Sequence, residues 1–534
     1  MNSGPTASET RRTSELPATE FPTGVWASFR AAFSSPARLR TEVLAGLVVA
    51  LALIPEAISF SILAGVDPRV GLFASVTMAV AIAFTGGRPA MISAATGAVA
   101  LVIAPVAADH GLDYLIATVL LAGVLQILLS LLGVAKLMRF IPRSVMIGFV
   151  NALAILIFSA QIPHLLGVPW LVYPLVVAGI VIMVGFPKLT TVVPAPLVAI
   201  VAITAVVVAV GWNVPDVSQQ GELPTTLPSL LFPDVPLTLD TLQIIAPYAL
   251  AMALVGLMES LMTAKLVDDI TETHSDKTRE GWGQGIANLV TGFFGGMGGC
   301  AMIGQTMINV RASGARTRIS TFMAGAFLLI LVVVLGDVVG MIPMVALAAI
   351  MMMVCVDTFD WHSIRPSTLK MLPKSETFVM IATVAVVVAT GNLAIGVVVG
   401  VFVASVLFVR RVAHFVTVER TVTGSDLGVD ADGPTGAEAG RDENASTAEA
   451  VARYVVRGEL FFASSNDLTT QFRYTHDPDH VVIDMTESHV WDASTVAALD
   501  AIVTKYEAQG TRVEITGMNA YTETLHARLS GGLG

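Results

Sequence analysis

Apolar segments follow one another from about Val43 to Val412, broken by Gly, Pro and short charged loops. A spanning helix needs roughly 20 apolar residues, and hydrocarbon offers no water to satisfy backbone N–H and C=O groups. At that spacing the stretch holds about fourteen spans. They start near Val43, Val70, Ala90, Tyr114, Ile141, Leu171, Ala195, Leu242, Trp282, Gly299, Thr317, Pro343, Glu376 and Leu393. The 534 residues are 54% hydrophobic and 13% charged, with a mean hydropathy of +0.75, more apolar surface than a water-soluble core can hide. Lipid is therefore the main solvent of this chain.

Loop charges test the count, because Lys and Arg collect on the cytoplasmic side at alternate loops. Lys136, Arg139 and Arg143 follow the fourth span, Lys188 the sixth, and Arg311, Arg316 and Arg318 the tenth. Arg365, Lys370 and Lys374 follow the twelfth, and Arg410 and Arg411 the last. All are even-numbered exits. The long loop from Trp212 to Asp240 carries Asp216, Glu222, Asp234 and Asp240 and no Lys or Arg, as the opposite side should. Both termini are thus expected in the cytoplasm, in a multi-pass protein of the cytoplasmic membrane.

Residues 1–40 hold five arginines and no apolar run, which reads as a cytoplasmic tail without a cleavable signal. The transmembrane domain covers 41–413. Residues 414–450 turn acidic and rich in Gly, Ala and Asp, a composition expected of a flexible linker. From 451 to 534 short strand-like runs (Tyr454–Arg457, Leu460–Phe462, Val481–Met485, Val513–Thr516) alternate with helical stretches such as Ser494–Ala508, predicting a small cytoplasmic α/β domain. Cys300 and Cys355 lie in apolar surroundings, which suggests neither a disulfide nor a thiolate metal site.

Gly86-Gly87-Arg88-Pro89-Ala90-Met91-Ile92-Ser93 and Gly298-Gly299-Cys300-Ala301-Met302-Ile303-Gly304 look alike, and each opens a short apolar segment broken by small residues. Paired inverted repeats, seven spans plus seven, would each contribute such a discontinuous helix to a site at the membrane midplane. The first N–H groups of a helix lack partners and carry partial positive charge, so two facing half-helix starts suit an anion. Ser93, Ala94, Ala95, Thr96 and Gly97 would form one lip and Gly299, Cys300, Ala301, Met302 and Ile303 the other, with Ser93 and Thr96 able to donate a hydroxyl. Close helix packing is the competing use of such small residues. Packing alone does not require the motif to recur.

Glu56 in the first span and Glu259 in the eighth are costly in hydrocarbon, by roughly 2.5–3.5 kcal/mol each on insertion scales. Either a structural hydrogen bond or a coupling role would keep them, and a carboxyl there is a candidate proton carrier. Lys265, Asp268 and Asp269, nearer the end of the eighth span, read as surface charges.

Ile54-Pro55-Glu56-Ala57-Ile58-Ser59-Phe60-Ser61-Ile62-Leu63-Ala64-Gly65-Val66-Asp67-Pro68 resembles the first-span signature of the SulP, or sulfate permease, family. The C-terminal domain resembles that family's STAS domain, and together the match runs from about residue 40 to 530. The resemblance implies a fourteen-helix inverted repeat like that of uracil permeases, a core moving against a gate, and a homodimer. It places the anion between the third- and tenth-span N-termini with a first-span aromatic nearby, at Phe60, Thr96, Ala301 and Met302. The sodium-coupled bicarbonate branch binds its cation through an eighth-span acid and threonine, which map to Glu259 and Thr263. Met302 stands where that branch has a threonine, and a thioether is a poor sodium ligand. Ala94-Ala95-Thr96-Gly97 also lacks the acid some relatives carry before Pro-Thr-Gly. Asp492-Ala493-Ser494-Thr495 resembles the STAS motif in which a serine is phosphorylated; from the residues alone it is a helix N-cap, and both can hold.

The expected function is secondary active transport of small inorganic anions, sulfate foremost, with a proton as coupling ion and sodium as the alternative. No other cofactor is expected. Sodium-coupled bicarbonate transport and dicarboxylate transport are the competing carrier readings. A membrane-embedded enzyme or receptor is disfavoured because there is no HExxH, Walker loop, Gly-x-Ser-x-Gly or paired-His spacing. Expected partners are the anion, the bilayer and a cytoplasmic regulator on the STAS domain, and no nucleic acid.

Overall fold

The structure, a computed structural model, describes residues 22–137, 141–189, 194–224, 226–413, 415–423 and 450–531. It divides into two compact units, Met1–Val401 and Phe402–Gly534.

Among the described residues, fourteen helical segments follow the apolar runs. They are α1 Pro36–Leu63, α2 Pro68–Thr85, α3 Gly97–His110, α4 Leu112–Leu131, α5 Arg143–Gln161, α6 Val172–Gly185 and α7 Ala195–Val210. The second set is α8 Leu239–Thr271, α9 Lys277–Phe293, α10 Ile303–Met307, α11 Arg318–Val334, α12 Met344–Thr358, α13 Lys374–Thr390 and α14 Leu393–Ala413. Six of them, α1, α2, α4, α5, α8 and α14, are long and apolar enough to cross a membrane by length and composition. Capping residues mark several starts: Ser35, Asp276 and Thr317 each accept a backbone N–H ahead of α1, α9 and α11, the last where apolar periodicity places it. So α1 begins at Pro36 and α9 at Lys277, before the Val43 and Trp282 that apolar periodicity selects, because polar first turns are invisible to hydropathy.

The third and tenth spans depart in the other direction. The chain is not helical from Met91 to Thr96 or from Gly299 to Met302, and helix starts only at Gly97 and Ile303. Two-residue strands, β1 Ser93–Ala94 and β2 Cys300–Ala301, occupy those stretches. The α10 helix widens into a π turn over Ile308–Ala312.

Helices from both halves of the chain mix in each of two bundles. α9 packs on α2 and α4, α11 on α1 and α2, and α8 on α3 and α4, while α12 packs on α5 and α6 and α13 on α5. This is the interleaving a seven-plus-seven inverted repeat produces.

The second unit carries a four-stranded sheet in the order β3-β4-β5-β6, formed by Thr417–Thr423, Val451–Leu460, His480–Val490 and Arg512–Thr516. β3 runs antiparallel to β4, and β4, β5 and β6 are parallel. Helices α15 Ser465–Thr470, α16 Ala493–Glu507 and α17 Ala520–Leu529 complete it, over a core that includes Tyr454, Val456, Ile483, Met485, Leu499 and Tyr506. Two expectations need correction. Residues 417–423 fall in the expected linker yet form the edge strand, because Arg420 pairs with the buried Asp477, whose carboxylate also takes the Tyr454 and Tyr506 hydroxyls. The rest of that linker, 424–449, lies outside the described residues. Leu460–Phe462 is not a separate strand, since β4 ends at Leu460 and Phe461 accepts the turn bonds from Ser464 and Ser465.

Candidate functional site

β1 and β2 pair antiparallel, Ser93 opposite Ala301 and Ala94 opposite Cys300. Each strand leads into a half-helix, so the starts of α3 and α10 flank one crossing. The Ala-Met-Ile likeness is offset from this geometry. Ala90-Met91-Ile92 precede β1, whereas Ala301 lies in β2, Met302 is the N-cap of α10 and Ile303 begins it. The repeat is real in the fold, but the equivalent positions are the strands and helix starts.

Irregular backbone at this depth must find partners inside the protein. The Asn288 amide accepts the Gly299 N–H at 2.9 Å and donates to the Gly299 carbonyl at 3.0 Å and to Gln126 at 2.9 Å. The Ala301 N–H goes to Ser260 at 3.1 Å, the Ala95 N–H to Ser75 at 3.3 Å, and the Ile92 N–H to Thr306 at 3.0 Å. Side chains of α2, α8, α9 and α10 thus hold both lips.

Thr96 caps α3, its hydroxyl oxygen accepting the Val99 N–H at 3.3 Å. Phe60 is buried against that first turn: a Cβ on Gly97 would lie 2.9 Å from its ring. On the facing lip Met302 is buried, Ile303 is half-buried and Gly304 is exposed, with nothing within 4 Å of where its Cβ would be. Small residues on one lip and open space at the other suit a compact anion against unpaired N–H groups.

Glu259 is half-buried on α8 and accepts the Cys300 thiol at 2.7 Å; Cys300 lies 3.1 Å from the Thr96 hydroxyl. Thr263 is buried one turn on, but its hydroxyl donates to the Glu259 backbone carbonyl at 2.8 Å, not to the carboxylate. Glu56, buried on α1, takes a hydrogen bond from the Gln305 side chain of α10. The fold therefore joins Phe60, Thr96, Gly97, Cys300 and Glu259, and leaves Ser93 apart, its oxygen taking the Gln284 amide of α9 at 2.7 Å. Ala94, Ala95 and Ala301 are buried within the crossing.

Sequence reasoning overlooked Gly304, Gln305 and Ser260. Gly304 ends the quoted motif, and Gln305 is a lone amide in an apolar half-span, so both left a signal. Asp268, read as a surface charge, instead pairs with the buried Arg88 at 3.0 Å and with Lys277 at 2.6 Å. Arg88 stands in the loop before β1, and only the tertiary structure brings it to α8. In the second unit Asp492 caps α16, accepting the Thr495 N–H at 3.0 Å, and leaves Ser494 exposed in the first turn.

Helical bundles built from interleaved halves, with two broken spans crossing at their centre, define a membrane transporter fold. Residues 39–174 and 170–383 match the sulfate permease family, and residues 444–531 match the STAS domain. The chain belongs to the sulfate permease family. It is 50% identical over 492 residues to "Putative sulfate transporter YbaR" of Bacillus subtilis (strain 168), covering 92% of this chain and 97% of that one. It is 27% identical over 498 residues to the bicarbonate transporter BicA of a Picosynechococcus species, covering 87% and 86%. Its fold is shared with the murine anion transporter Slc26a9 in the inward-facing state, at a TM-score of 0.78 with 16% identity, over 98% of this chain and 93% of that one. These relatives are transporters, not enzymes.

Proposed function

We propose that the chain is a secondary active transporter of small inorganic anions, sulfate foremost, driven by a proton across the cytoplasmic membrane with both termini inside. The observation that carries this reading is the β1–β2 crossing, which sets two half-helix starts beside open space at Gly304 and a carboxyl at Glu259. An anion arriving there repels the ionised carboxylate, so anion and proton enter together. Sulfate is favoured by the 50% identity to YbaR. Bicarbonate is the second reading, favoured by BicA. Proton is preferred to sodium because a hard cation wants converging oxygens. Here the Thr263 hydroxyl is bonded to the helix backbone, the Glu259 carboxylate meets a thiol, and Met302 is a thioether. The reading includes a homodimer, and a cytoplasmic regulator acting at the exposed Ser494.

Proteoliposomes holding the purified chain test this directly. An inward proton gradient should drive accumulation of labelled sulfate or bicarbonate without sodium. Glu259→Gln should abolish that accumulation while anion-for-anion exchange partly survives. Uptake by Glu259→Gln that follows the pH gradient as the parent does would sink the proposal, and uptake that needs sodium and tolerates collapse of the gradient would transfer it to sodium.

A further inference from the structure

The Cys300 thiol sits between the Thr96 hydroxyl, 3.1 Å away, and the Glu259 carboxylate, 2.7 Å away. Counting hydrogens decides how those bonds run. An ionised carboxylate only accepts, so the single S–H points at Glu259. The sulfur then has only acceptor capacity left, and the hydrogen facing it comes from Thr96. One lone pair of the Thr96 oxygen is already held by the Val99 N–H. In this arrangement Thr96 has no hydrogen to offer an anion at the start of α3.

Protonation of Glu259 reverses every bond in the chain. The new carboxyl O–H donates to sulfur, the S–H turns to the free lone pair of Thr96, and the Thr96 hydrogen swings out towards the lip. Thr96 and Cys300 neither gain nor lose a hydrogen. The one added proton, drawn from solvent, resides on Glu259, a residue that is half-buried.

We propose that Cys300 is a positioning residue that presents the Thr96 hydroxyl to the anion only while Glu259 is protonated. This rests on the reading of Glu259 as the proton carrier. Other ionisable groups on the elements packed against α8 are placed elsewhere. Those of α3 and α4 (Asp109, His110, Asp113, Tyr114) stand at the ends remote from β1. Lys277 and Arg279 lie in the first turn of α9, and Arg311 lies in the π turn after α10. Glu280 of α9 is held by the Gly87 and Arg88 N–H groups and by Gln284, and Glu56 of α1 by Gln305. On α8 itself Asp268 is paired with Arg88 and Lys277, while Lys265 and Asp269 are exposed.

The experiment measures, for the full chain in proteoliposomes, the apparent affinity for sulfate, or for bicarbonate if that is what the parent takes up. The quantity read is the ratio of affinities at acidic and alkaline pH within each protein. This ratio is insensitive to a uniform loss of folding or rate. The parent should bind more than about tenfold more tightly at acidic pH: one hydrogen bond to an anion is worth about tenfold, and relief from the charge of Glu259 adds to it. Cys300→Ala, or Cys300→Val if the alanine protein does not insert, frees the Thr96 hydrogen at all pH and should bring the ratio about tenfold below the parent's, leaving only the share that comes from the charge of Glu259 repelling the anion. Cys300→Ser can make both bonds and should keep the parent's ratio. A Cys300→Ala protein with the parent's ratio, beside a Glu259→Gln protein that has lost it, overturns the role of Cys300 and leaves Glu259 standing. A Cys300→Ser protein that loses the ratio also overturns it. A ratio retained by Glu259→Gln, or absent in the parent, removes the proton reading and this inference together.

Discussion

A methyl group at Gly299 tests the crossing of the two broken spans. An ideal Cβ there falls far inside contact distance of the Ala94 carbonyl oxygen, 2.6 Å from the carbonyl carbon and 3.1 Å from the Ala95 nitrogen. Carbon atoms pack at about 3.5 Å, so the strands would have to part by nearly 1 Å. All the obstructing atoms are backbone, and no side chain can swing aside to make room. Separation on that scale breaks the two bonds between Gly299 and the Asn288 amide, at 2.9 and 3.0 Å. Each buried polar group left unpaired costs about 1–3 kcal/mol, which puts Gly299→Ala at about 2–6 kcal/mol. Gly304→Ala is the matched control. Nothing lies within 4 Å of its Cβ, and in a helix alanine is favoured over glycine by about 0.8–1 kcal/mol. Thermal unfolding of the purified proteins in detergent should show Gly299→Ala melting well below the parent, with anion uptake lost, and Gly304→Ala melting at or above it. A Gly299→Ala protein with the parent's Tm and uptake would refute the close crossing, and the site built on it.

At acidic pH Thr96→Val should lower anion uptake at least about tenfold, the loss of one hydrogen bond to a charged ligand, while Thr96→Ser restores most of it; uptake by the valine protein at the parent's rate would place the anion elsewhere. In the second unit, Asp477→Asn leaves Arg420 without its carboxylate at a cost of about 3 kcal/mol, the low end for a buried pair because Arg420 is partly exposed. Trypsin should then cut after Arg420 faster than in the parent, and unchanged cleavage would show that the pair does not hold β3 to the sheet.

Much of the architecture was legible because its signals are local. Hydropathy marks each span, alternate basic loops mark every second exit, and the Gly-rich run before Cys300 marks a helix that cannot start where its apolar residues do. Polar helix starts such as Lys277 escaped, since a capped first turn carries no apolar period. The edge strand β3 escaped for a different reason. Its composition is that of a linker, and the carboxylate that secures it, Asp477, lies 57 positions further along the chain.

By itself, then, the sequence determined a multi-span membrane protein with two short half-spans, two acids in apolar helices and an α/β domain after them, because these follow from the burial cost of each residue. Tertiary structure alone decided the register of β1 on β2, the retreat of Ser93 to Gln284, the exposure of Gly304 and the alignment of Thr96, Cys300 and Glu259. Thr96 and Cys300 stand 204 residues apart in the chain, and Cys300 and Glu259 stand 41 apart. Hydrogen bonds between such distant groups depend on where packed helices bring them within about 3 Å, and residue pattern carries no information about that distance.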